Sequence, residues 1–197
     1  MNGAKVLDIG RDAIWLTIQL SAPVLIVGLV VGVAIVMGMA GTSAYEGLSE
    51  MHLTDPLTLG GVMLVLIGLL FKIGAVPAHP WIPDVAEGAP APAAAFLTVV
   101  PKIAAAVALA RFVALFPDAG SLRLLLAIVS ALTMTLGNLA AFWQEDVRRL
   151  IGWSSVAQAG YALMAICVAG VVPVALPSLL AFMAAYAGAN IAAFAMV

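Results

Sequence analysis

The chain has 197 residues, of which 64% are hydrophobic and 9% are charged, and its formal net charge at pH 7 is −2. Soluble globular domains average about 45–50% apolar and about 25% charged residues, so a soluble enzyme is excluded. With 8 Lys and Arg against 10 Asp and Glu, no basic face can form, which excludes nucleic acid as a partner. One cysteine and two histidines exclude a disulfide framework and a Cys- or His-based metal site. Composition therefore predicts an all-α integral membrane protein.

Six apolar stretches are long enough to cross a bilayer. The first, residues 13–39, follows a polar N-terminus and is too long for the apolar core of a signal peptide, so we expect a retained span. The others are expected at residues 57–76, 93–116, 122–142, 150–172 and 179–197. The last stretch reaches the final residue, which favours a fragment or a fusion. Residues 77–92 are rich in proline and are expected to break the helical run.

Lysine and arginine in short loops predict the orientation of the bundle. If the spans alternate in direction, the N-terminus, the proline-rich loop and residues 143–149 share one side of the membrane. That side is expected to be cytoplasmic, because it carries the larger number of cations: Lys5, Arg11, Arg148 and Arg149, against Arg111 and Arg123 on the other side.

Two lysines, Lys72 and Lys102, lie inside expected spans. A lysine at the centre of a span costs about 2.5–3.5 kcal/mol, and removing its proton at pH 7 costs about 4.6 kcal/mol from a reference pKa of 10.4. Because these costs are similar, a lysine held between packed helices can load and release a proton. The alternative is snorkelling to the interface, which fits Lys72, about four residues from the end of its span, better than Lys102, near the middle.

Pro101, the residue before Lys102, changes the backbone beside the lysine. It lacks an N–H, so it frees the carbonyl of Leu97 and bends the helix beside the lysine. Polar side chains elsewhere in the spans either extend a hydrated path or serve only as contacts between helices. They are Ser130, Thr133, Thr135, Asn138, Ser154, Ser155, Gln158 and Asn190.

The proline-rich loop collects four further side chains of interest, His79, Trp81, Asp84 and Glu87. One interpretation is an interfacial belt, with an anchoring tryptophan and solvated acids. The other is a broken helix that gathers titratable groups near Lys72, with His79 passing protons near neutral pH. The sequence alone leaves both interpretations open.

These motifs together resemble a known family. A Phe-Lys pair at 71–72 precedes a Pro-x-His-x-Trp-x-Pro-Asp loop at 77–84, and a second lysine follows the first by 30 positions (102 − 72). With residues 122–166 and the tail AAYAGANIAAFAMV, residues 36–197 resemble the antiporter-like membrane subunit N of respiratory complex I, the NADH:quinone oxidoreductase.

The resemblance implies a fragment of an antiporter-like inverted-repeat fold, with a proline-broken helix and about six transmembrane helices. It implies that Lys72 is the central lysine of a proton relay and Lys102 the lysine on the next helix, supported by the loop residues and Pro101. It implies no flavin, nicotinamide or iron–sulfur cluster in this chain, whose complex would use NADH and quinone. It also implies other membrane-arm subunits as partners, in a bacterial inner membrane.

Two parts of the family pattern have no match here, the glutamate that pairs with the central lysine and the lysine that ends the path. A non-pumping remnant or a chimeric protein is therefore an alternative function. Residues 6–35 resemble the first helix of FliQ, a subunit of the flagellar export gate, which adds an export-gate component as a further alternative. We accordingly expect two parts, a FliQ-like segment at 1–35 and an incomplete subunit N-like region at 36–197.

Overall fold

The computed structural model describes residues 26–43, 48 and 55–197. These residues form seven helices. They are α1 (Ile26–Ala40), α2 (Pro56–Ile73), α3 (Trp81–Gly88), α4 (Ala91–Ala114), α5 (Gly120–Ala141), α6 (Val147–Cys167) and α7 (Ala175–Ala195). Five of them, α2 and α4 to α7, are long and apolar enough to cross a membrane. The all-helical membrane fold is therefore confirmed, and α1 is the described part of the expected first span.

Helix α2 ends earlier than the sequence predicts, and its two caps explain its length. Asp55 begins it, because the Asp55 Oδ2 accepts from the Thr58 N–H at 2.8 Å and Pro56 needs no backbone partner at the first position. Gly74 ends it in the left-handed conformation (φ 81°) and donates to the Leu70 and Phe71 carbonyls. The helix thus stops at Ile73 rather than at residue 76, and Lys72 lies in its last turn.

The proline-rich segment 77–92 contains a helix, α3, that the sequence analysis does not predict. The prolines do not oppose it, because Pro80 is the N-cap and Pro83 lies in the first turn, where backbone N–H groups need no partner inside the helix. Its apolar face, which includes Ile82 and Val85, is buried. The break between α2 and α3 is therefore a short turn between two helices.

Helix α6 lies at the centre of the described bundle and contacts α3, α4, α5 and α7. More than half of its apolar window is buried inside the protein, the largest share among the five long helices. Its buried side chains, including Ala159, Leu163 and Ile166, join Leu109 of α4 and Met183 of α7 in one core. Side chains on the inner faces of α4, α6 and α7 consequently meet away from the surface.

Arg123 joins two inter-helix turns at one end of the bundle by hydrogen bonds. Its guanidinium donates to the carbonyls of Cys167 (2.6 Å) and Ala169 (3.0 Å) at the end of α6. Its Nε donates to the Pro117 carbonyl (3.2 Å) in the turn before α5. A planar cation with five donors suits this set of carbonyl acceptors, which otherwise have no helical partner.

We expect Arg123→Gln to lower the stability of the folded bundle by about 2 kcal/mol, because charge-assisted hydrogen bonds contribute about 1.5–3 kcal/mol. Thermal denaturation of the purified protein in detergent would measure this as a lowered melting temperature. Arg111→Gln is the matched control, because Arg111 is exposed on α4. Equal melting temperatures for both variants would contradict the role given to Arg123.

Candidate functional site

The described bundle encloses one lysine completely. Lys102 of α4 is 1% exposed, and its Nζ lies 2.6 Å from both the carbonyl oxygen and the hydroxyl oxygen of Ser155 on α6. No ion pair of Lys102 occurs among the residues that the structure describes. An ammonium in this setting is held by neutral acceptors alone, so its charge is not fixed by a carboxylate.

A short chain of hydroxyl groups extends from Lys102. The Ser155 Oγ is 2.7 Å from the Tyr186 hydroxyl on α7, and that hydroxyl donates to the Thr98 carbonyl on α4 at 3.1 Å. The Lys102 Nζ also lies 5.2 Å from the centre of the Tyr186 ring, a distance at which a cation is attracted to the aromatic face. Three helices therefore contribute to one buried polar cluster, Lys102–Ser155–Tyr186–Thr98.

Pro101 lies inside α4, beside the lysine. The Leu97 carbonyl that Pro101 frees is not a partner of the ammonium, which donates to Ser155. The reason is geometric: Leu97 is five residues from Lys102, which places it about 140° around the helix. Lys102 faces α6 and α7, where Ser155 and Tyr186 lie.

Lys72 differs from Lys102 in its surroundings. It lies in the last turn of α2, where the negative end of the helix dipole favours a positive charge, and its side chain is exposed in the described chain. Within the described residues, Lys102 is buried between helices, whereas Lys72 is exposed. The role of each lysine as a proton carrier stays a prediction.

Trp81 and His79 join the broken helix to its neighbours. The Trp81 Nε1 donates to the Phe71 carbonyl in the last turn of α2 at 3.0 Å, so Trp81 holds the two helix segments together. The His79 ring packs against the Trp153 ring of α6, with 5.3 Å between the ring centres. Burial lowers the pKa of the His79 imidazole below its ordinary value, which favours its neutral form.

The two acids of α3 pair with an arginine rather than with Lys72. The Arg149 Nη1, in the first turn of α6, lies 3.2 Å from the Asp84 carboxylate and 2.5 Å from the Glu87 carboxylate. Arg148 donates to the Ala89 carbonyl at the end of α3. The expected cluster of titratable groups near Lys72 therefore does not include the acids, whose exposed ion pairs attach α3 to α6.

Most of the remaining polar side chains of the spans either join helices or line a groove. Ser130 donates to the Gly160 carbonyl of α6 (2.7 Å), and Asn138 donates to the Tyr161 hydroxyl of α6 (3.0 Å). Thr133 accepts from the Val76 N–H (3.1 Å) and donates to the Val129 carbonyl of its own helix. Ser154, Gln158 and Asn190 instead line a groove between α6 and α7, together with Tyr186. No group of three metal-ligating side chains lies together in the part of the chain that the structure describes.

Tyr186 is a side chain of this polar cluster that the sequence alone does not single out. The sequence does carry an indication of it, because Tyr186 and Asn190 are four residues apart in a mostly apolar helix and so share one face. Buried tyrosines usually place their hydroxyl on a partner, which makes this face a candidate for contact with another polar residue.

Comparison with known proteins supports the resemblance seen in the sequence. A family model described as "NADH:quinone oxidoreductase/Mrp antiporter, TM" matches residues 18–197. The NADH-quinone oxidoreductase subunit N of Mycobacterium sp. (strain JLS) is 50% identical over 170 residues, which are 85% of this chain and 36% of that protein. The chain thus spans about a third of the length of the curated relatives it matches.

Solved structures show the same fold. A chain in respiratory complex I from Thermus thermophilus with bound aureothin is 31% identical, with a TM-score of 0.72, and the match covers 90% of this chain and 39% of that one. A chain in the Mrp complex from Dietzia sp. DQ12-45-1b has a TM-score of 0.82 at 22% identity, covering 96% of this chain and 35% of that one.

These matches also bear on the N-terminal part. The family match begins at residue 18, so it includes residues 18–35 of the segment that resembles FliQ. The division at residue 35 remains a prediction, because residues 1–25 lie outside the described part of the chain.

Proposed function

Since the chain belongs to the membrane-subunit family of NADH:quinone oxidoreductases and Mrp antiporters, we propose that it forms part of a proton-translocating membrane-arm subunit of an NADH:quinone oxidoreductase. Its own chemistry is reversible protonation of intramembrane lysines, driven by quinone reduction elsewhere in the complex. The chain supplies a segment of the proton path and no redox group.

The observation that carries this proposal is the environment of Lys102. Its ammonium is buried without a counter-charge among the described residues and contacts Ser155, whose hydroxyl continues to Tyr186. A purely structural cation in a membrane helix would be stabilised by a carboxylate or would extend to the interface. A lysine that contacts exchangeable hydroxyl protons is suited to receiving a proton and passing it on.

In this proposal Lys72 is the second residue that accepts and releases a proton. It lies on α2, which packs against α4, and the break after α2 leaves its side chain exposed at the helix end. His79, beside Trp153, and Trp81, on the Phe71 carbonyl, hold the break in place, and Asp84 and Glu87 hold α3 on α6 through Arg149.

The partners and location follow from the same proposal. The matched structures are multi-subunit membrane complexes, so we propose other membrane-arm subunits as the partners of this chain. NADH and quinone bind elsewhere in the complex. The bacterial names of the relatives support placement in a bacterial inner membrane, with the Arg148 end of the bundle facing the cytoplasm.

Lys72→Ala in the assembled complex tests the function. We expect quinone reduction to continue while the protons moved per quinone reduced fall severalfold, because an aliphatic side chain cannot carry a proton. Inside-out membrane vesicles with a pH-sensitive dye measure the ratio. Arg111→Ala, which removes an exposed cation from α4, is the control and should leave the ratio unchanged. Undiminished pumping by Lys72→Ala would remove Lys72 from the path.

A further inference from the structure

We propose that Tyr186 is a positioning residue for Lys102: its hydroxyl orients the Ser155 hydroxyl so that the Ser155 oxygen faces the ammonium and accepts from it. This inference rests on the proposed function and adds to it the residue that stabilises the charged, proton-carrying form of the lysine. Tyr186 lies on α7, a helix without Asp, Glu, Lys, Arg or His, so no charge pattern in the sequence marks it.

The side chains of this arrangement are enclosed by three helices. Lys102 and Ser155 are each 1% exposed, Thr98 is fully buried and Tyr186 is 6% exposed. Helix α4 carries Thr98 and Lys102, α6 carries Ser155 and α7 carries Tyr186. A polar hydrogen in such surroundings has few acceptors within reach, so the direction of one hydrogen bond determines the direction of the next.

The hydrogen bonds of Tyr186 fix the orientation of the Ser155 hydroxyl. Tyr186 has one hydroxyl proton and donates it to the Thr98 carbonyl at 3.1 Å. Its oxygen therefore accepts from the Ser155 hydroxyl, which lies 2.7 Å away. Because the only proton of Ser155 Oγ points to Tyr186, its lone pairs face the Lys102 Nζ at 2.6 Å. The Ser155 carbonyl oxygen is a second acceptor at 2.6 Å.

This orientation favours an ammonium over a neutral amine. An ammonium has three N–H donors and no acceptor, so it matches two oxygen atoms that both accept. A neutral amine has a lone pair that needs a donor, and the Ser155 hydroxyl becomes this donor only when its proton turns away from Tyr186. Tyr186 therefore competes with the neutral lysine for the Ser155 proton, and the charged form is stabilised without a carboxylate.

Charged side chains do not take over this role in the part of the chain that the structure describes. The titratable groups nearest to Ser155 along α6 are Arg149 and Tyr161, each six residues away, which is about 9 Å along the helix. Neither they nor the other titratable groups on α4 and the helices packed against it form a hydrogen bond or an ion pair with this cluster. Those other groups are Arg111 on α4, Lys72 on α2, Asp84 and Glu87 on α3, and Arg148 and Cys167 on α6.

The Tyr186 ring contacts the lysine independently of the hydroxyl. Its centre lies 5.2 Å from the Lys102 Nζ, a distance at which the aromatic face attracts a cation. Tyr186→Phe keeps this ring and removes only the hydroxyl. The substitution therefore separates the orientation of Ser155 from the packing of α7 on α4.

Tyr186→Phe should change the pH profile of proton translocation in the assembled complex. Without the Tyr186 hydroxyl, the Ser155 hydroxyl pairs with either form of the lysine, and the charged form is less favoured. We expect the protons moved per quinone reduced to decline on the alkaline side about one pH unit earlier, which corresponds to a tenfold change in proton affinity. Inside-out vesicles with a pH-sensitive dye, buffered from mildly acidic to alkaline pH, measure the profile.

Two controls show whether the change in profile has this cause. The melting temperature of the Tyr186→Phe complex should equal that of the unchanged complex, because the ring still fills its place. Tyr161→Phe should leave the profile unchanged, because the Tyr161 hydroxyl accepts from Asn138 at an exposed contact between α5 and α6. A structural role of Tyr186 alone would lower the melting temperature and leave the pH profile where it is, which would overturn the inference.

Ser155→Ala tests whether Tyr186 acts through Ser155. The substitution removes the hydroxyl that Tyr186 orients and keeps the carbonyl that binds Lys102. Because effects of residues that act through one another are not additive, Tyr186→Phe should move the profile little further in a Ser155→Ala complex. Equal shifts from Tyr186→Phe with and without the Ser155 hydroxyl would overturn the inference.

Lys102→Met in the same assay distinguishes the failure of this inference from the failure of the proposed function. If Lys102→Met stops pumping while Tyr186→Phe keeps the unchanged profile, Tyr186 does not position the lysine and the proposed function stands. If Lys102→Met pumps at the unchanged ratio, both are overturned. Loss of pumping by Tyr186→Phe at every pH, in a complex that still reduces quinone, would place Tyr186 in the transfer itself and would also overturn the positioning role.

Discussion

Replacing Lys102 with methionine is expected to stop proton translocation without unfolding the protein. Methionine has nearly the length of lysine but no group that can carry a proton, so protons moved per quinone reduced should fall at least about tenfold. The same proton-pumping assay in inside-out vesicles measures the loss. Lys102 is the clearest position for this experiment, because it is 1% exposed and its Nζ contacts Ser155 alone among the hydrogen-bond partners in the described chain.

The stability of Lys102→Met should not fall with its activity. Removing a buried ammonium relieves a desolvation cost of several kcal/mol, and the Ser155 hydroxyl keeps its 2.7 Å contact with Tyr186. The melting temperature of the purified complex should therefore equal or exceed that of the unchanged protein. A large loss of stability together with the loss of pumping would mean that Lys102 is a structural residue, which would contradict the account.

The second large effect is expected where α5 and α6 approach closely. A Cβ added at Gly137 would lie 2.6 Å from the backbone nitrogen of Ala157, and one added at Gly160 would lie 2.6 Å from that of Met134. Backbone atoms cannot rotate away as a side chain can, so the two helices would have to separate. Gly160→Leu would also disturb the hydrogen bond from Ser130 to the Gly160 carbonyl.

We expect Gly160→Leu and Gly137→Leu each to destabilise the folded bundle by about 3 kcal/mol or more, at or above the upper end of overpacking costs. The amount of assembled subunit in membranes and its melting temperature in detergent measure the effect. Gly188→Leu is the matched control, because an added Cβ on α7 meets nothing within 4 Å. If all three variants assemble equally, the close approach of α5 and α6 does not determine stability.

Local signals in the sequence predict the spans well. Uninterrupted apolar stretches of about twenty residues correspond to α2 and to α4 through α7, and their ends differ by a few residues where caps decide them. The Asp55 cap and the left-handed Gly74 are local features of this kind. Helix α3 is missed because the positions of its prolines, at the N-cap and in the first turn, matter more than their number.

The candidate site depends on contacts that no local pattern contains. Lys102 and Ser155 are 53 residues apart, Thr98 and Tyr186 are 88 residues apart, and Glu87 and Arg149 are 62 residues apart. Both the burial of Lys102 and its partners depend on how α4, α6 and α7 pack around one another, because this packing fixes which side chains share an interface.

In the proposed relay Lys102 exchanges a proton rather than only carrying a charge, and Lys102→Arg separates these two roles. A guanidinium keeps the positive charge but does not release its proton in proteins. The measurement is the number of protons moved per quinone reduced in vesicles that contain the assembled complex. We predict that Lys102→Arg reduces quinone but has a ratio as low as that of Lys102→Met. A Lys102→Arg complex that pumps at the unchanged ratio would contradict the proton relay through this residue.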